Sequence, residues 1–163
     1  MITKTLTLIA GISGAATMSQ FPEFSQQYVQ RLGGAVDSLQ MVVDDFNASA
    51  QKEGLTQEEA LEQMTGSDFI VRRKEDMVKA ITRLDLLQEN LASLEGANAL
   101  SRLQLIHHMS DTEALGAVWK SYQPAVQLTL MGMVFAGLGF FLGALLASIL
   151  LGVTVVLSRR AFA

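Results

Sequence analysis

The sequence predicts an all-α membrane protein, with two transmembrane helices flanking an extramembrane helical hairpin or bundle. Three observations carry this. The chain of 163 residues is 50% hydrophobic and only 17% charged, against about 25% charge in an ordinary soluble domain. All 16 acidic residues fall between Glu23 and Glu113, and no charge lies between Ser121 and Ser158. In the charged middle, apolar residues recur at threes and fours, the period of a helix. No alternating strand pattern and no Asn-Gly hairpin turn interrupts them. This distribution excludes a soluble globule, a disordered acidic chain and a basic nucleic-acid binder. The absence of cysteine excludes disulfides, thiolate metal sites and cysteine nucleophiles.

Residues 1–20 are expected to form the first span. Thr5 to Pro22 is uncharged, with Lys4 before it and Glu23 after it, and Leu6, Leu8, Ile9, Ile12 and Met18 supply apolar bulk. The alternative is a secretory signal, with Gly14-Ala15-Ala16 as a small-residue cleavage site. Phe21 and Phe24 are expected to anchor this segment at the outer membrane interface, with Pro22 kinking or restarting the helix between them.

Residues 21–120 are expected to form the helical extramembrane domain. Phe24, Tyr28, Leu32, Ala35, Leu39, Val42 and Phe46 follow spacings close to a heptad seam. Gly33-Gly34 is expected to interrupt that helix, at roughly 1 kcal/mol per glycine relative to alanine, and Gly54 to end it. Thr56-Gln57-Glu58-Glu59 is a capping box that starts a short helix through Met64, stopped by Gly66. Ser67 or Asp68 then caps a second long helix bearing Ile70, Met77, Ile81, Leu84, Leu87, Leu91 and Leu94 and closed by Gly96. Leu100, Leu103 and Ile106 mark a shorter helix. Ser110-Asp111-Thr112-Glu113 reads as a second capping box, leading through Leu115, Val118 and Trp119. Each long helix has a single apolar stripe and needs a partner. The two are expected to serve each other as an antiparallel, coiled-coil-like pair, its seam formed by Tyr28, Leu32, Leu39, Val42 and Phe46 with Met77, Ile81, Leu84 and Leu91.

Residues 121–160 are expected to form a long C-terminal transmembrane helix. The 30 residues from Leu128 to Leu157 include only Thr129, Ser148 and Thr154 as polar side chains. About 20 apolar residues suffice to span a bilayer, whereas two passes of about 15 would be too short. Pro124 suits the first turn, and Arg159 and Arg160 are expected to stop the helix. Trp119 and Tyr122 fall at its outer edge, as interface anchors would. Lys4 and Arg159/Arg160 flank the outer ends of the two spans, so the positive-inside rule puts both termini in the cytoplasm and the central region in the periplasm.

Chemistry-bearing motifs are sparse. His107 and His108 are the only histidines. Being adjacent, they project about 100° apart on a helix and do not chelate one metal. Gly11-Ile12-Ser13-Gly14 lies in an apolar segment with no histidine near in sequence, and no P-loop, nucleophile elbow or zinc-protease motif is present. Arg72-Arg73-Lys74 is followed at once by Glu75 and Asp76 and reads as a solvated face. No catalytic, cofactor or metal residue is expected. Neither span contains an ionisable side chain, which argues against active transport.

The glycines carry more. Gly132, Ala136, Gly139, Gly143 and Ala147 lie on one helical face, and Gly11 and Gly14 offer a matching small face on the first span. In lipid there is no hydrophobic drive to pair helices, so close backbone approach at small residues supplies the contact. The faces are expected to pack the two spans together, or to bind another copy or another membrane protein.

Ser19-Gln20-Phe21-Pro22-Glu23-Phe24, running on to Gly33-Gly34, then Gly54-Leu55-Thr56 with Glu58-Glu59-Ala60, Pro124-Ala125-Val126 and Phe135-Ala136-Gly137-Leu138-Gly139 together resemble a proteobacterial inner-membrane family labelled domain of unknown function 2937. The resemblance covers most of the chain. It implies a bacterial inner-membrane location and two spans, and no activity or cofactor. The expected role is structural or accessory, without catalysis: the lipid bilayer as environment, and a homo-oligomer or attachment to another inner-membrane complex. The alternative expectation is an oligomeric pore or passive channel wetted by Thr129, Ser148 or Thr154.

Overall fold

Helix ends fall where side-chain caps and positive-φ glycines relieve the unpaired backbone groups of each terminus. The computed structural model describes residues 2–122 and 129–161. Among them every regular element is helical: α1 (Ile2–Met18), α2 (Phe21–Lys52), α3 (Gln57–Gln63), α4 (Asp68–Leu94), α5 (Ala99–Gln104), a 3₁₀ turn (Ile106–His108), α6 (Thr112–Ser121) and α7 (Leu130–Ala161). The Thr56 hydroxyl accepts from the Glu59 N–H at 3.2 Å, and the Glu59 carboxylate accepts from the Thr56 N–H at 2.8 Å, closing the capping box of α3. Ser67 caps α4 through the Ile70 N–H. Gly54 and Gly96, at φ of 72° and 76°, turn the chain after α2 and α4.

Three boundaries differ from expectation. α2 runs unbroken through Gly33-Gly34. An added Cβ at either glycine would meet nothing within 4 Å, so packing does not require them; their propensity cost is absorbed by a helix of 32 residues. The N-cap of α6 is Asp111 rather than Ser110, its Oδ1 accepting from the Ala114 N–H at 2.7 Å; aspartate caps as well as serine does. α7 continues through Arg159 and Arg160 to Ala161, because arginine is a good helix former and ends an apolar run without ending a helix. Pro124 and the first residue of the apolar run, Leu128, lie outside the described residues, as do the side chains of Arg159 and Arg160.

The chain divides into two compact units. One comprises Met1–Gln26, Asn98–Ser101 and Ser121–Ala163, and the other Gln27–Ala97 and Arg102–Lys120. In the first, α1 lies along α7. Among the described residues one helix is long and apolar enough to cross a membrane, Leu130–Thr154 in α7, and only 11% of its apolar window is buried. α1 has 17 residues, about 26 Å at 1.5 Å per residue, which by itself falls short of a hydrocarbon core of about 30 Å.

The second unit is the head. Its α2 buries Tyr28, Val29, Leu32, Val36, Val43 and Ala50; α4 contributes Leu84, Leu87, Asn90 and Leu94, and α6 contributes Ala114 and Val118. The seam of α2 is rotated from the expected one. Val42 is 47% exposed while Val43 is 5% exposed. Leu32, Leu39 and Phe46 keep their place, but the interleaved positions are 29, 36, 43 and 50 instead of 28, 35 and 42, with Tyr28 alone retained. Both registers are apolar, so only the position of the neighbours selects one. On α4, Met77, Ile81 and Leu91 are half-buried, and Asn90 takes the buried position beside Leu91.

Val43→Asp or Leu84→Asp should destabilise the head by about 3 kcal/mol or more, by burying an unpaired carboxylate. Val42→Asp should stay within about 0.5 kcal/mol of wild type. Equal melting temperatures for the two α2 variants would mean the register is wrong. Replacing Gly33 and Gly34 by alanine should raise stability by roughly 0.5–1 kcal/mol each, read in the same thermal melts.

Candidate functional site

The feature most dependent on particular residues is the contact of α1 with α7. A Cβ at Gly14 would fall on the Gly139 carbonyl and beside the Gly143 Cα; one at Gly139 would fall on the Gly14 carbonyl and lie 2.6 Å from the Met18 Cβ; one at Gly143 would fall on the Ala10 carbonyl. The helices therefore meet main chain to main chain, the geometry in which Cα–H···O contacts recur. The pairing runs antiparallel: Ala10 and Gly11 oppose Gly143, while Met18 opposes Gly139. Gly11 is buried, and a Cβ there would lie 2.7 Å from the Phe140 ring.

The remaining small residues are placed less uniformly. Gly132 is buried, and its N–H donates to the Thr129 hydroxyl at 3.0 Å, which makes Thr129 the N-cap of α7. Ala136 and Ala147 are half-buried. Gly137 and Gly152 face open space. Around the rest of α7, Leu138, Phe141, Leu142, Leu145, Leu146, Ile149 and Leu150 are exposed, as are Leu8, Ile9 and Ile12 of α1. The hydroxyls of Ser148 and Thr154 donate to the Ala144 and Leu151 carbonyls of their own helix. All three polar side chains expected to wet a lumen are thus bonded to local backbone.

Four rings gather where α1 gives way to α2. Phe21 stacks on the fully buried Phe135 at 5.3 Å, and Phe24 meets Tyr122 edge-on at 5.8 Å. The Tyr122 hydroxyl lies 3.0 Å from the Gln20 side-chain oxygen and 3.4 Å from its carbonyl. Of the four expected interface anchors, Phe21, Phe24 and Tyr122 are engaged with other side chains, and Trp119 stands 77% exposed in the head. The role of Phe135 was not legible in sequence, where it is one apolar residue among thirty.

Within the head, Asp111 is a polar hub. Its N–H donates to the buried Tyr28 hydroxyl at 3.2 Å, its Oδ1 caps α6, and its Oδ2 accepts from Arg83 Nη2 at 3.2 Å. The same Nη2 reaches Glu113 at 2.7 Å. Arg83 Nε is buried without a hydrogen-bond partner, so the guanidinium's hold on α6 rests on that one nitrogen. Its hydrogen bond holds the Glu113 carboxyl below the usual range, and Glu113 in turn raises Arg83. His108 Nδ1 pairs with Asn90 Oδ1 at 2.9 Å, and its ring lies 4.1 Å from that of His107. No group of residues able to hold a metal occurs among the described residues.

Gly14→Leu, Gly139→Leu or Gly143→Leu should separate α1 from α7, lowering stability by about 1–3 kcal/mol. Gly137→Ala and Gly152→Ala, with open space around the added Cβ, should leave the α1–α7 contact intact. A cysteine pair engineered into α1 and α7, in a chain with no native cysteine, would report the separation as lost crosslinking. For pH, a carboxyl whose folded pKa is depressed adds stability above its unfolded pKa, and this is lost as pH falls through the folded value. Glu113, lowered by Arg83, and Glu59, lowered first by the Thr56 N–H, should therefore make the head less stable as pH drops below about 4.5. Glu113→Gln should be less stable at neutral pH and show a shallower acid loss in melting-temperature profiles.

No curated protein and no solved structure matches this chain. A family model does, over residues 2–160, spanning α1, the head and α7 alike. The chain belongs to the family described as protein of unknown function (DUF2937).

Proposed function

We propose that this is a small inner-membrane protein with a structural or accessory role, which self-assembles or attaches to a larger membrane complex. In this reading α1 and α7 both span the bilayer, both termini are cytoplasmic, and residues 21–120 form a periplasmic head. The observation that carries it is the backbone contact of Gly14 with Gly139 and Gly143, set in a pair of helices whose other faces are apolar and uncovered. Such a pair suits lipid, where close approach of small residues replaces the hydrophobic drive.

The register of the pair adds support. Gly14 lies against Gly139 and Gly143, and Gly143 against Ala10 and Gly11. Extending that antiparallel register brings Lys4 level with Leu150 and Leu151. At the other end, the Phe21–Phe135 stack brings Glu23 near Gly132. The two charges then bracket about 28 Å of α7, close to a hydrocarbon core. The short α1 thus reaches across by continuing, uncharged, through the Ser19-Gln20 turn to Phe21-Pro22.

The glycine face is occupied within the chain, so assembly with other chains would use other surfaces. A catalytic role gains no support from the histidines, since His108 is engaged by Asn90.

The test is the mass of the protein extracted gently from native membranes, with everything that co-purifies identified. A closed multiple of 17.7 kDa, or a larger complex with a constant partner, is the expected result. A lone chain with no partner would overturn the assembly role. Recovery in the soluble fraction would overturn the membrane reading altogether.

A further inference from the structure

The start of the chain has the three parts of an export signal: Lys4 as a basic start, a short apolar run from Leu6 to Ile12, and small residues, Gly14 and Ala16, third and first before a cut. The bond so marked is Ala16–Thr17. A peptidase reaches a bond inside a helix only after that segment opens locally, so its rate follows the population of the opened form.

In the structure the marked segment is closed. Helix α1 runs through the bond to Met18. The Ser13 carbonyl accepts from the Thr17 hydroxyl at 2.9 Å, the Ala15 carbonyl from the Ser19 N–H at 3.0 Å, and the Ala16 carbonyl from the Ser19 hydroxyl at 2.9 Å. The Gly14 carbonyl lies against Gly139, and a Cβ on Gly139 would come within 2.6 Å of the Met18 Cβ. Gly139 therefore covers the chain on both sides of the Ala16–Thr17 bond. With backbone against backbone at Gly14, α1 has no room to unwind there while α7 is docked.

We propose that Ala16–Thr17 is a latent signal-peptidase site that the docking of α7 masks. Chains whose two helices pair keep α1 as a span, and chains in which they fail to pair lose it. Hydrolysis breaks the bond between the Ala16 carbonyl carbon and the Thr17 nitrogen; the hydroxyl of water goes to the carbon and its proton to the nitrogen. The inference rests on the two-span reading, which puts this bond at the outer end of α1, and its test separates the two.

The full chain is pulse-labelled in cells, before turnover removes unstable products, and its N-terminus and mass are read. Wild type should stay uncut. Gly139→Leu should raise the fraction beginning at Thr17 at least about tenfold. Adding Ala16→Leu, at an exposed position, should restore the uncut chain, because the residue before the bond is then too large for the peptidase. Gly137→Leu, with open space around its Cβ, should stay uncut. A cut wild type, an uncut Gly139→Leu, a cut that persists with Ala16→Leu, or an equal cut in Gly137→Leu would overturn the masked site. Glu62→Cys, exposed in α3, reports topology through a membrane-impermeant maleimide added from the outer side. Labelling there together with an uncut Gly139→Leu would overturn the mask alone, and no labelling would overturn the two-span reading with it.

Discussion

The approach of two glycine-bearing helices, with no side chain between their backbones, is the constraint on which the α1–α7 unit depends. Gly14, Gly139 and Gly143 have nothing beyond Cα to hold the helices apart, and the carbonyl oxygens of Ala10, Gly14 and Gly139 occupy the space where side chains would be. Contact of this kind tolerates little sliding, because each oxygen sits opposite a particular glycine. The register it imposes is continuous with the stacking of Phe21 on Phe135 and the meeting of Phe24 with Tyr122. One steric fact thus determines where the chain turns from α1 into α2.

The head is held by different means. Its core is aliphatic, built from Leu32, Val36, Val43, Leu84, Leu87 and Val118, and burial from water is the dominant stabilising term there. Specific orientation comes from Asp111, which joins α2, α4 and α6 through Tyr28, Arg83 and the cap of its own helix. A residue held by its backbone N–H to Tyr28 and by its carboxylate to Arg83 and the Ala114 N–H fixes angles that apolar packing leaves loose. The glycine contact holds by shape and close backbone approach; the head uses burial and charge.

Sequence and structure agree best where a signal is local. The capping box at Thr56 and Glu59, the cap at Ser67 and the stops at Gly54 and Gly96 depend on residues within a turn of one another, and each was legible. Val42 and Val43 show the opposite case. Both are apolar and β-branched, both fit a helical stripe, and their burial differs tenfold or so through neighbours that sequence does not locate. Gly33-Gly34 was read as an interruption because propensity is a local quantity, yet the flanking turns of α2 carry the helix across. Asp111 was visible as part of a helix start; its bonds to Tyr28 and Arg83 span 83 and 28 positions and had no local signature.

The sequence by itself determined an all-helical chain, a C-terminal helix long and apolar enough to cross a bilayer, and a face of small residues on each terminal segment. These follow from periodicity, hydropathy and side-chain size, which are properties of residues and their near neighbours. Tertiary structure alone decided that the small face of α7 is covered by α1, that Phe135 lies buried under Phe21, and that α2 presents Val43 rather than Val42 to the core. Each of these is a relation between distant segments, and in each the sequence offered two sterically acceptable answers. The choice fell to the backbone approach at Gly14 and Gly139 in one unit and to the packing of the head in the other.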